Sequence, residues 1–281
     1  MTRSAAEVPD PSTLLELAVA TATAAADLVA RGRASAGTSV HVKSSPVDVV
    51  TAVDTACEEL IVGRLLAARP EDGVLGEEGS SRSGSSGVRW VIDPIDGTVN
   101  FLYGIPQYAV SIAAERDGVV VAGVVLDVAR GTSYVGRRET GPDGRETVTA
   151  HRDGSPIEVR PPAPLSQRLI GTGFSYEARI RAVQAGAVGA LLPHVRDIRR
   201  FGSCALDLCH VAEGLLDGYV EEGVNLWDHA AGALIAEGAG ARTELTGGAG
   251  GQELMLCAPR HGFDEFRKAV EAAGFLADPG E

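Results

Sequence analysis

The segment WVIDPIDGTVNF, residues 90–101, runs from apolar residues into two aspartates, a proline and a glycine. Pro94 restricts the residue before it to an extended backbone, so Asp93 is predicted to lie at the end of a buried strand. Asp96 follows in a turn, where Gly97 permits unusual dihedral angles and a close approach of the backbone to a ligand. Two carboxylates beside free N–H groups describe a site for a metal ion and a phosphate. Aspartates also cap many turns, so this segment alone leaves both interpretations open.

Three other segments place acidic residues at the ends of predicted elements: KSSPVDVVTAVD at 43–54, GEE at 76–78 and NLWDHAAGALIAEGAGA at 225–241. Taken singly, Glu77 and Glu78 would be ordinary loop acids, and Asp228 would be an ordinary helix N-cap. Their occurrence together in one chain is more specific than any one of them. The combination favours the metal-and-phosphate interpretation.

Composition and charge narrow the class of protein. The chain has 281 residues, of which 44% are hydrophobic, which suits one large globular unit or two packed halves. Its formal net charge of -13 argues against nucleic-acid binding, which requires clustered Lys and Arg. No apolar run is expected to reach the roughly 20 residues that span a bilayer, and the N-terminus lacks a signal-peptide core, so a cytoplasmic protein without a membrane partner is expected. The four cysteines form no CxxC pair, which predicts reduced thiols.

The pattern of helices and strands predicts an α/β (α+β) fold in two halves. Residues 1–150 are predicted to form an α+β half with an antiparallel sheet that carries Glu77, Asp93 and Asp96. Residues 151–281 are predicted to form an α/β half that carries Glu221 and Asp228. Capping boxes and apolar periodicity predict helices at 13–31, 54–68, 178–192, 203–213, from 228 onward, and 263–273.

Strands and loops follow from local composition. The runs YAVSIAAE and VVVAGVVLDV, between residues 108 and 128, predict a β-hairpin because both are mostly apolar and β-branched. The Ser- and Gly-rich segment 76–87 is expected to be a mobile loop. The polar stretch from 136 to 164 is expected to be the domain boundary.

The four acidic segments together resemble the signatures of the inositol monophosphatases, as DPIDGTVNF, WDHAAGALIAEGAG, GEE and KSSPVDVVTAVD. The resemblance covers about residues 12–275. It implies a layered αβαβα sandwich of the type shared with the fructose-1,6-bisphosphatases. It further implies a lithium-sensitive, magnesium-dependent phosphomonoesterase with about two or three Mg²⁺ ions, and a homodimer.

Carried over motif by motif, the resemblance implies a role for each site residue. The implied metal ligands are four carboxylates and one main-chain carbonyl: Glu77, Asp93, Asp96, Asp228 and Ile95. Glu77 and Thr98 resemble the pair that positions the attacking water, and Asp54 and Thr51 resemble the residues that orient Thr98. The implied substrate contacts surround the phosphate and the ring hydroxyls: Ile95, Asp96, Gly97, Thr98, Gly202, Ser203, Cys204, Glu221 and Asp228.

The chemistry of the residue types supports a magnesium site. Mg²⁺ is a hard cation that takes oxygen ligands and keeps several waters, so Asp and Glu suit it better than the scattered histidines, which follow no ligand spacing. Two such ions can stabilise both the attacking and the leaving oxygen of a displacement, which removes the need for a protein nucleophile. Lys43 could neutralise a phosphate, although a lysine in a polar loop is usually only solvated.

The substrate is less well determined than the chemistry. Glu221 could accept hydrogen bonds from ring hydroxyls and would disfavour a second phosphate, so inositol monophosphate is expected. The alternatives are histidinol phosphate, fructose-1,6-bisphosphate, and a nucleotide such as NADP or a 3',5'-bisphosphate. A non-catalytic regulatory relative is the other class, but such a protein has no need of the complete acidic set.

Two departures from the family pattern bear on the substrate and on the surface. Cys204 stands where a small alanine is expected, so contacts on that side of the sugar are expected to differ. The segment 136–159 is less regular than the glycine-rich hairpin of the family, which would alter substrate access or the dimer surface.

Overall fold

The computed structural model describes residues 9–34, 40–42 and 49–277, and its N-terminal part supplies two helices and a short ribbon. The elements are, in order, helix α1 (Pro11–Ala34), strands β1 (Val40–Val42) and β2 (Val49–Thr51), and helix α2 (Ala52–Ala68). The two strands pair antiparallel. Both predicted helices are confirmed, and each begins two residues earlier than expected. Lys43 lies outside the described residues.

Helix α1 is the one described helix that is long and apolar enough to cross a membrane by length and composition, with a mean hydropathy of 1.5 over its apolar window. The expectation that no stretch reaches this length is therefore wrong. Its apolar residues have another explanation, because Leu14, Ala18, Ala22, Ala25 and Val29 form one buried face. This face packs against α2 and the strands beneath it, as in the core helix of a layered fold.

A large sheet follows α2 and contains the predicted hairpin. Its strands are β3 (Gly73–Gly76), β4 (Ser81–Arg82), β5 (Val88–Asp96), β6 (Ala109–Arg116), β7 (Val119–Asp127), β8 (Thr132–Thr140), β9 (Glu146–Arg152) and β10 (Ser155–Pro156). The spatial order is β10-β9-β8-β7-β6-β5-β3-β4, and only the β3–β5 pair is parallel within this sheet. The predicted hairpin is confirmed as β6–β7. A short helix, α3 (Thr98–Tyr103), follows β5.

The stretch from 136 to 159, expected to be irregular, is instead a regular part of this sheet. Strands β8 and β9 pair in continuous register from Tyr134–Arg152 to Thr140–Glu146, and β10 adds an edge strand. Its polar composition misled the prediction because Tyr134 and Ala150 are buried on one face of the hairpin, while most of its other side chains are only half-buried or exposed. No strand lies between 157 and 168, where the chain passes to the second sheet.

The second sheet is smaller and mixed. Its strands are β11 (Leu169–Thr172), β12 (Asp197–Arg199), β13 (Gly218–Glu222), β14 (Ala241–Gly247) and β15 (Glu253–Pro259), in the order β12-β11-β13-β15-β14. The accompanying helices are α4 (Ala178–Leu191), α5 (Cys204–Ala212), α6 (Leu226–Gly238) and α7 (Phe263–Ala272). Helix α6 begins at Leu226, so Asp228 lies in its first turn and the N-cap is Asn225.

The elements stack in five layers. Helices α1 and α2 cover the outer face of the large sheet, α5 and α6 lie between the two sheets, and α4 and α7 cover the second sheet. Three clusters of buried apolar side chains fill the spaces between these layers. The predicted αβαβα sandwich is thereby confirmed. The division of the chain at residue 150 stays a prediction.

Candidate functional site

Most of the predicted site residues line one pocket of about 380 Å³. The predicted residues that line it are Glu77, Asp93, Ile95, Asp96, Gly97, Thr98, Gly202, Cys204, Glu221 and Asp228. Asp54 and Ser203 are buried and do not line the pocket. Thr51 ends strand β2, and its side chain lies outside the described part of the chain.

The parallel pairing of β3 with β5 places two acids side by side. Gly76 and Ile92 are partners in the register of these strands, so Glu77 and Asp93 come next along the two chains. Strand β5 continues to Asp96, so the predicted strand end at Asp93 is three residues early. The backbone N–H of Glu77 donates to the carbonyl of Ile92 at 3.2 Å. The juxtaposition of the two carboxylates is therefore a direct consequence of strand topology.

Asp96 is held by the first turn of α5. A register shift in the β5–β6 pairing between Asp93 and Asp96 separates these two acids. The carboxylate of Asp96 then accepts hydrogen bonds from the Ser203 hydroxyl (2.5 Å) and from the backbone N–H of Ala205 (2.7 Å). Ser203, expected to contact substrate, is instead the N-cap of α5. An anion at a helix N-terminus is stabilised by the free N–H groups and by the helix dipole.

The turn after Asp96 requires glycine. Gly97 has φ 93°, and a Cβ at this position would lie 2.8 Å from the carbonyl of Gln107 and 3.2 Å from that of Gly202. Asn100 fastens the same turn, because its side-chain amide donates to the carbonyls of Gln107 (2.8 Å) and Phe201 (2.7 Å). This residue lies in the segment 90–101 but was not singled out from the sequence. It joins the turn to the loop that precedes α5.

Asp228 enters the pocket from the first turn of α6. Its Oδ2 accepts a hydrogen bond from the backbone N–H of Asn225 at 2.5 Å. Helix α6 is packed between the two sheets, so its N-terminus lies at the same mouth as the ends of β3 and β5. A third acidic segment thus reaches the pocket from the second half of the chain.

Thr98 lies beside these acids. Its hydroxyl donates to the main-chain carbonyl of Ile95 at 3.0 Å. Asp54 is fully buried, and its charge raises the pKa of Asp93, which places it near the same site. The expected orientation of Thr98 by Asp54 and Thr51 stays a prediction.

The acids of the pocket oppose one another's ionisation. Burial raises the pKa of Asp93 well above its usual value, and the charges of Glu77, Asp96, Asp228 and Asp54 raise it further. Burial raises the pKa of Asp96 to about 7, although the hydrogen bonds from Ser203 and Ala205 lower it. The pKa of Asp228 is also raised, first by burial. Mutually repelling buried carboxylates are the arrangement that a bound cation relieves.

The donor set fits a hard divalent cation. Asp93 Oδ1 is buried with no hydrogen-bond partner in the structure, and such an atom is suited to ligate an ion. Among the described residues, no group of three or more Asp, Glu, His or Cys side chains already forms a ligand cluster. Mg²⁺ usually keeps several waters and takes only one or two carboxylates directly. None of the five histidines whose side chains the structure describes lines the pocket.

Another part of the pocket wall carries Glu221 and Arg200. Glu221 Oε2 accepts a hydrogen bond from the Tyr219 hydroxyl at 2.5 Å, and the absence of a side chain at Gly173 makes room for this carboxylate. Burial raises the pKa of Glu221, whereas Tyr219 and the positive charge of Arg200 lower it. Cys204 lies on this wall, and burial raises the pKa of its thiol, so it is protonated at neutral pH.

Several residues of the pocket were not anticipated. They come from the loop after β11, from the residue before Phe201, from the end of β13 to the first turn of α6, and from the β14–β15 turn. They are Phe174, Ser175, Tyr176, Glu177, Arg200, Glu222, Gly223, Val224, Asn225, Trp227 and Gln252. Arg200 and Asn225 are close in sequence to predicted residues, and this proximity was the available signal. Residues 222–224 follow Glu221, and Trp227 precedes Asp228 in the segment WDHAAGALIAEGAG. The loop residues 174–177 and Gln252 carry no motif.

The fold and the pocket define a layered αβαβα protein with a buried acidic pocket beside a glycine turn. A model described as the inositol monophosphatase family matches residues 10–274. The chain belongs to this family.

Named relatives agree with this assignment. The chain is 49% identical over 239 residues to inositol-1-monophosphatase SuhB of Mycobacterium tuberculosis, covering 83% of this chain and 81% of that protein. The solved structure of Mycobacterium tuberculosis SuhB is similar with a TM-score of 0.76 and 43% identity, covering 95% of this chain and 99% of that one. A Nus factor SuhB of Xylella fastidiosa is 41% identical over 200 residues, 71% of this chain and 70% of that protein.

Proposed function

We propose that the protein is a magnesium-dependent phosphomonoesterase that hydrolyses inositol monophosphate to inositol and phosphate. The observation that carries the proposal is the convergence of Glu77, Asp93, Asp96 and Asp228 on one pocket beside the turn at Gly97. Glu77 follows β3, Asp93 and Asp96 lie on β5, and Asp228 lies on α6. Their burial together is unfavourable unless cations compensate their charge. When bound, Mg²⁺ supplies charge neutralisation for the phosphate and lowers the pKa of water.

Each group of the chain has a role in this proposal. Glu77, Asp93, Asp96, Asp228 and the Ile95 carbonyl would hold about two or three Mg²⁺ ions. Glu77 and Thr98 would orient the attacking water in line with the leaving oxygen. The backbone N–H groups of Gly97 and Thr98 would bind the phosphate oxygens, and their fixed position reduces the reorganisation needed in the transition state. Positioning and charge stabilisation supply most of the catalysis in phosphoryl transfer.

Substrate preference depends on the part of the pocket wall that carries Glu221 and Arg200. The Glu221 carboxylate, oriented by Tyr219, can accept hydrogen bonds from ring hydroxyls, which supports a polyol monophosphate. Arg200 favours a second candidate, because its positive charge on the same wall can offset Glu221 beside a second phosphate. Fructose-1,6-bisphosphate, NADP and nucleotide 3',5'-bisphosphates therefore belong in the test, together with histidinol phosphate.

A purely regulatory role is the other candidate class, and the name of the Xylella relative supports considering it. Glu77, Asp93, Asp96, Thr98 and Asp228 all line the pocket, and a protein relieved of catalysis has no need of this complete set. Catalysis is therefore favoured. A homodimer, a cytoplasmic location and inhibition by lithium stay predictions.

The deciding experiment is a panel of phosphate esters assayed with purified protein, with Mg²⁺ and after exhaustive chelation. We expect the largest kcat/KM for inositol-1-phosphate and no turnover without Mg²⁺. A preference for a bisphosphate would transfer the proposal to the second candidate. Absence of turnover on every ester would support the regulatory class.

A further inference from the structure

Glu58 is a buried acid that the proposed mechanism does not use. It lies on α2, one helical turn after Asp54, and it is 2% exposed. Its Oε2 accepts a hydrogen bond from the backbone N–H of Glu78 at 2.8 Å, and its Oε1 accepts one from the backbone N–H of Ser80 at 2.9 Å. Hydrogen bonds from amides to a buried carboxylate are short and strong. Both oxygens of Glu58 therefore hold the turn that follows Glu77.

The Glu58 carboxylate contacts the residues before and after Glu77. Gly76 packs so closely against the Glu58 carboxylate that a Cβ at this position would overlap it. Glu78 is bound to the same carboxylate, and the backbone N–H of Glu77 itself donates to Ile92. The backbone of three consecutive residues is thus immobilised against α2 and β5. The direction in which the Glu77 side chain enters the pocket follows from these contacts.

Cys57, the residue before Glu58 on α2, makes a similar contact to the segment that contains Asp93. The Cys57 thiol donates to the carbonyl of Pro94 at 3.5 Å, and Pro94 is adjacent to Asp93. Burial, followed by the charges of Asp54 and Glu58, raises the pKa of this thiol, so it keeps the proton that it donates. Cys57 therefore holds the main chain beside Asp93, and Glu58 holds the main chain on either side of Glu77.

We propose that Glu58 is a positioning residue that sets the Mg²⁺ affinity of the site by holding Glu77 in a fixed place relative to Asp93. The inference rests on the proposed function, since Glu77 must ligate the ion for its position to matter. Glu58 does not line the pocket and acts only through the turn at 76–80. Groups that orient metal ligands through hydrogen bonds typically account for about 10- to 100-fold in metal affinity.

The test compares two substitutions at neighbouring positions of α2. Glu58→Gln keeps the shape of the side chain but turns an NH₂ group toward a backbone N–H. Glu59→Gln removes the same charge from an exposed side chain and is the matched control. Mg²⁺ binding to the substrate-free protein is measured by calorimetry, and the melting temperature is recorded in EDTA and in Mg²⁺. We expect Glu58→Gln to bind Mg²⁺ at least about tenfold more weakly and to gain less in melting temperature, with Glu59→Gln equal to the parent.

A second pair of variants perturbs the same contact from the opposite side. Gly76→Ala should displace the Glu58 carboxylate and weaken Mg²⁺ binding, whereas Gly63→Ala on α2 adds a methyl group where no atom lies within 4 Å. Combining Gly76→Ala with Glu58→Gln should cost less than the sum of the single losses, because both act on one contact. If Glu58→Gln does not fold, Gly76→Ala decides the question by the same measurements.

The outcomes separate the inference from the proposed function. A purely structural Glu58 would lower the melting temperature equally with and without Mg²⁺ and leave the Mg²⁺ dissociation constant unchanged, which would overturn the inference. If the Glu58→Gln variant behaves in this way while the parent protein binds Mg²⁺ and hydrolyses an ester, the proposed function stands. A parent that neither binds Mg²⁺ nor hydrolyses any ester would reject both.

Discussion

The buried acids of the pocket should make the metal-free protein less stable as pH rises, and Asp96→Asn should remove part of this loss. Burial raises the pKa of Asp96 from 3.8 to about 7 in the folded protein. Between about pH 4 and pH 7 the folded protein therefore holds a proton that the unfolded chain has released. Because the folded state binds more protons in this window, its stability falls as pH rises and reaches its lower level above pH 7.

The magnitude follows from the separation of the two pKa values. They differ by roughly three pH units, and each unit corresponds to about 1.4 kcal/mol, which sets an upper limit of about 4 kcal/mol for Asp96. Asp93 and Asp228 also have raised pKa values, so the variant should retain some dependence. Loss of the hydrogen bonds from Ser203 and Ala205 shifts the whole curve but not its slope.

The assay is urea unfolding in EDTA at a series of pH values from 5 to 8, with the parent, Asp96→Asn and the exposed Glu59→Gln as a control. We expect the stability of the parent to fall between pH 5 and pH 8 by up to about 3 kcal/mol more than that of Asp96→Asn, and the control to follow the parent. Mg²⁺ should restore the stability of the parent most strongly at pH 8, where no protons compete. Parallel pH profiles for the parent and Asp96→Asn would refute the reasoning.

Three further predictions concern catalysis. Asp93→Asn should cut turnover on the order of 100-fold or more and raise the melting temperature in EDTA, because it removes a repelled buried charge; steady-state kinetics and calorimetry check this, and a parental rate would contradict it. Glu221→Gln should lower kcat/KM for inositol-1-phosphate about 10- to 100-fold but hardly affect a simple ester, and equal losses on both would reject the specificity role. Chelation should abolish turnover and lithium should inhibit it, so activity that survives EDTA dialysis would rule out the metal mechanism.

Much of the acidic site could be predicted because its signals are local. Pro94 biases Asp93 toward an extended backbone. Gly97 adopts a positive φ that other residues rarely adopt, and its missing side chain leaves room for the carbonyl of Gln107. These constraints act within a few residues and are visible in any window of sequence. The β6–β7 hairpin was predicted for the same reason, since two apolar runs flank a short turn.

Composition failed where burial depends on neighbours. The polar residues of the β8–β9 hairpin led to the expectation of an irregular segment, because nothing local shows that Tyr134 and Ala150 face a helix layer. In helix α1, composition misleads in the opposite direction. The helix is long and apolar enough to cross a membrane, but its buried face packs in the core.

The sequence by itself determined the family-like motifs, the layered class of fold and the acids that line the pocket. Only the tertiary structure decided what holds those acids. Asp96 accepts a hydrogen bond from Ser203, the N-cap of α5, which lies 107 residues later in the chain. The turn after Glu77 is held by Glu58, which lies 20 residues before its partner Glu78. The physical reason is range. Backbone preferences act between adjacent residues, whereas a hydrogen bond between distant segments exists only after burial and strand pairing have brought them together.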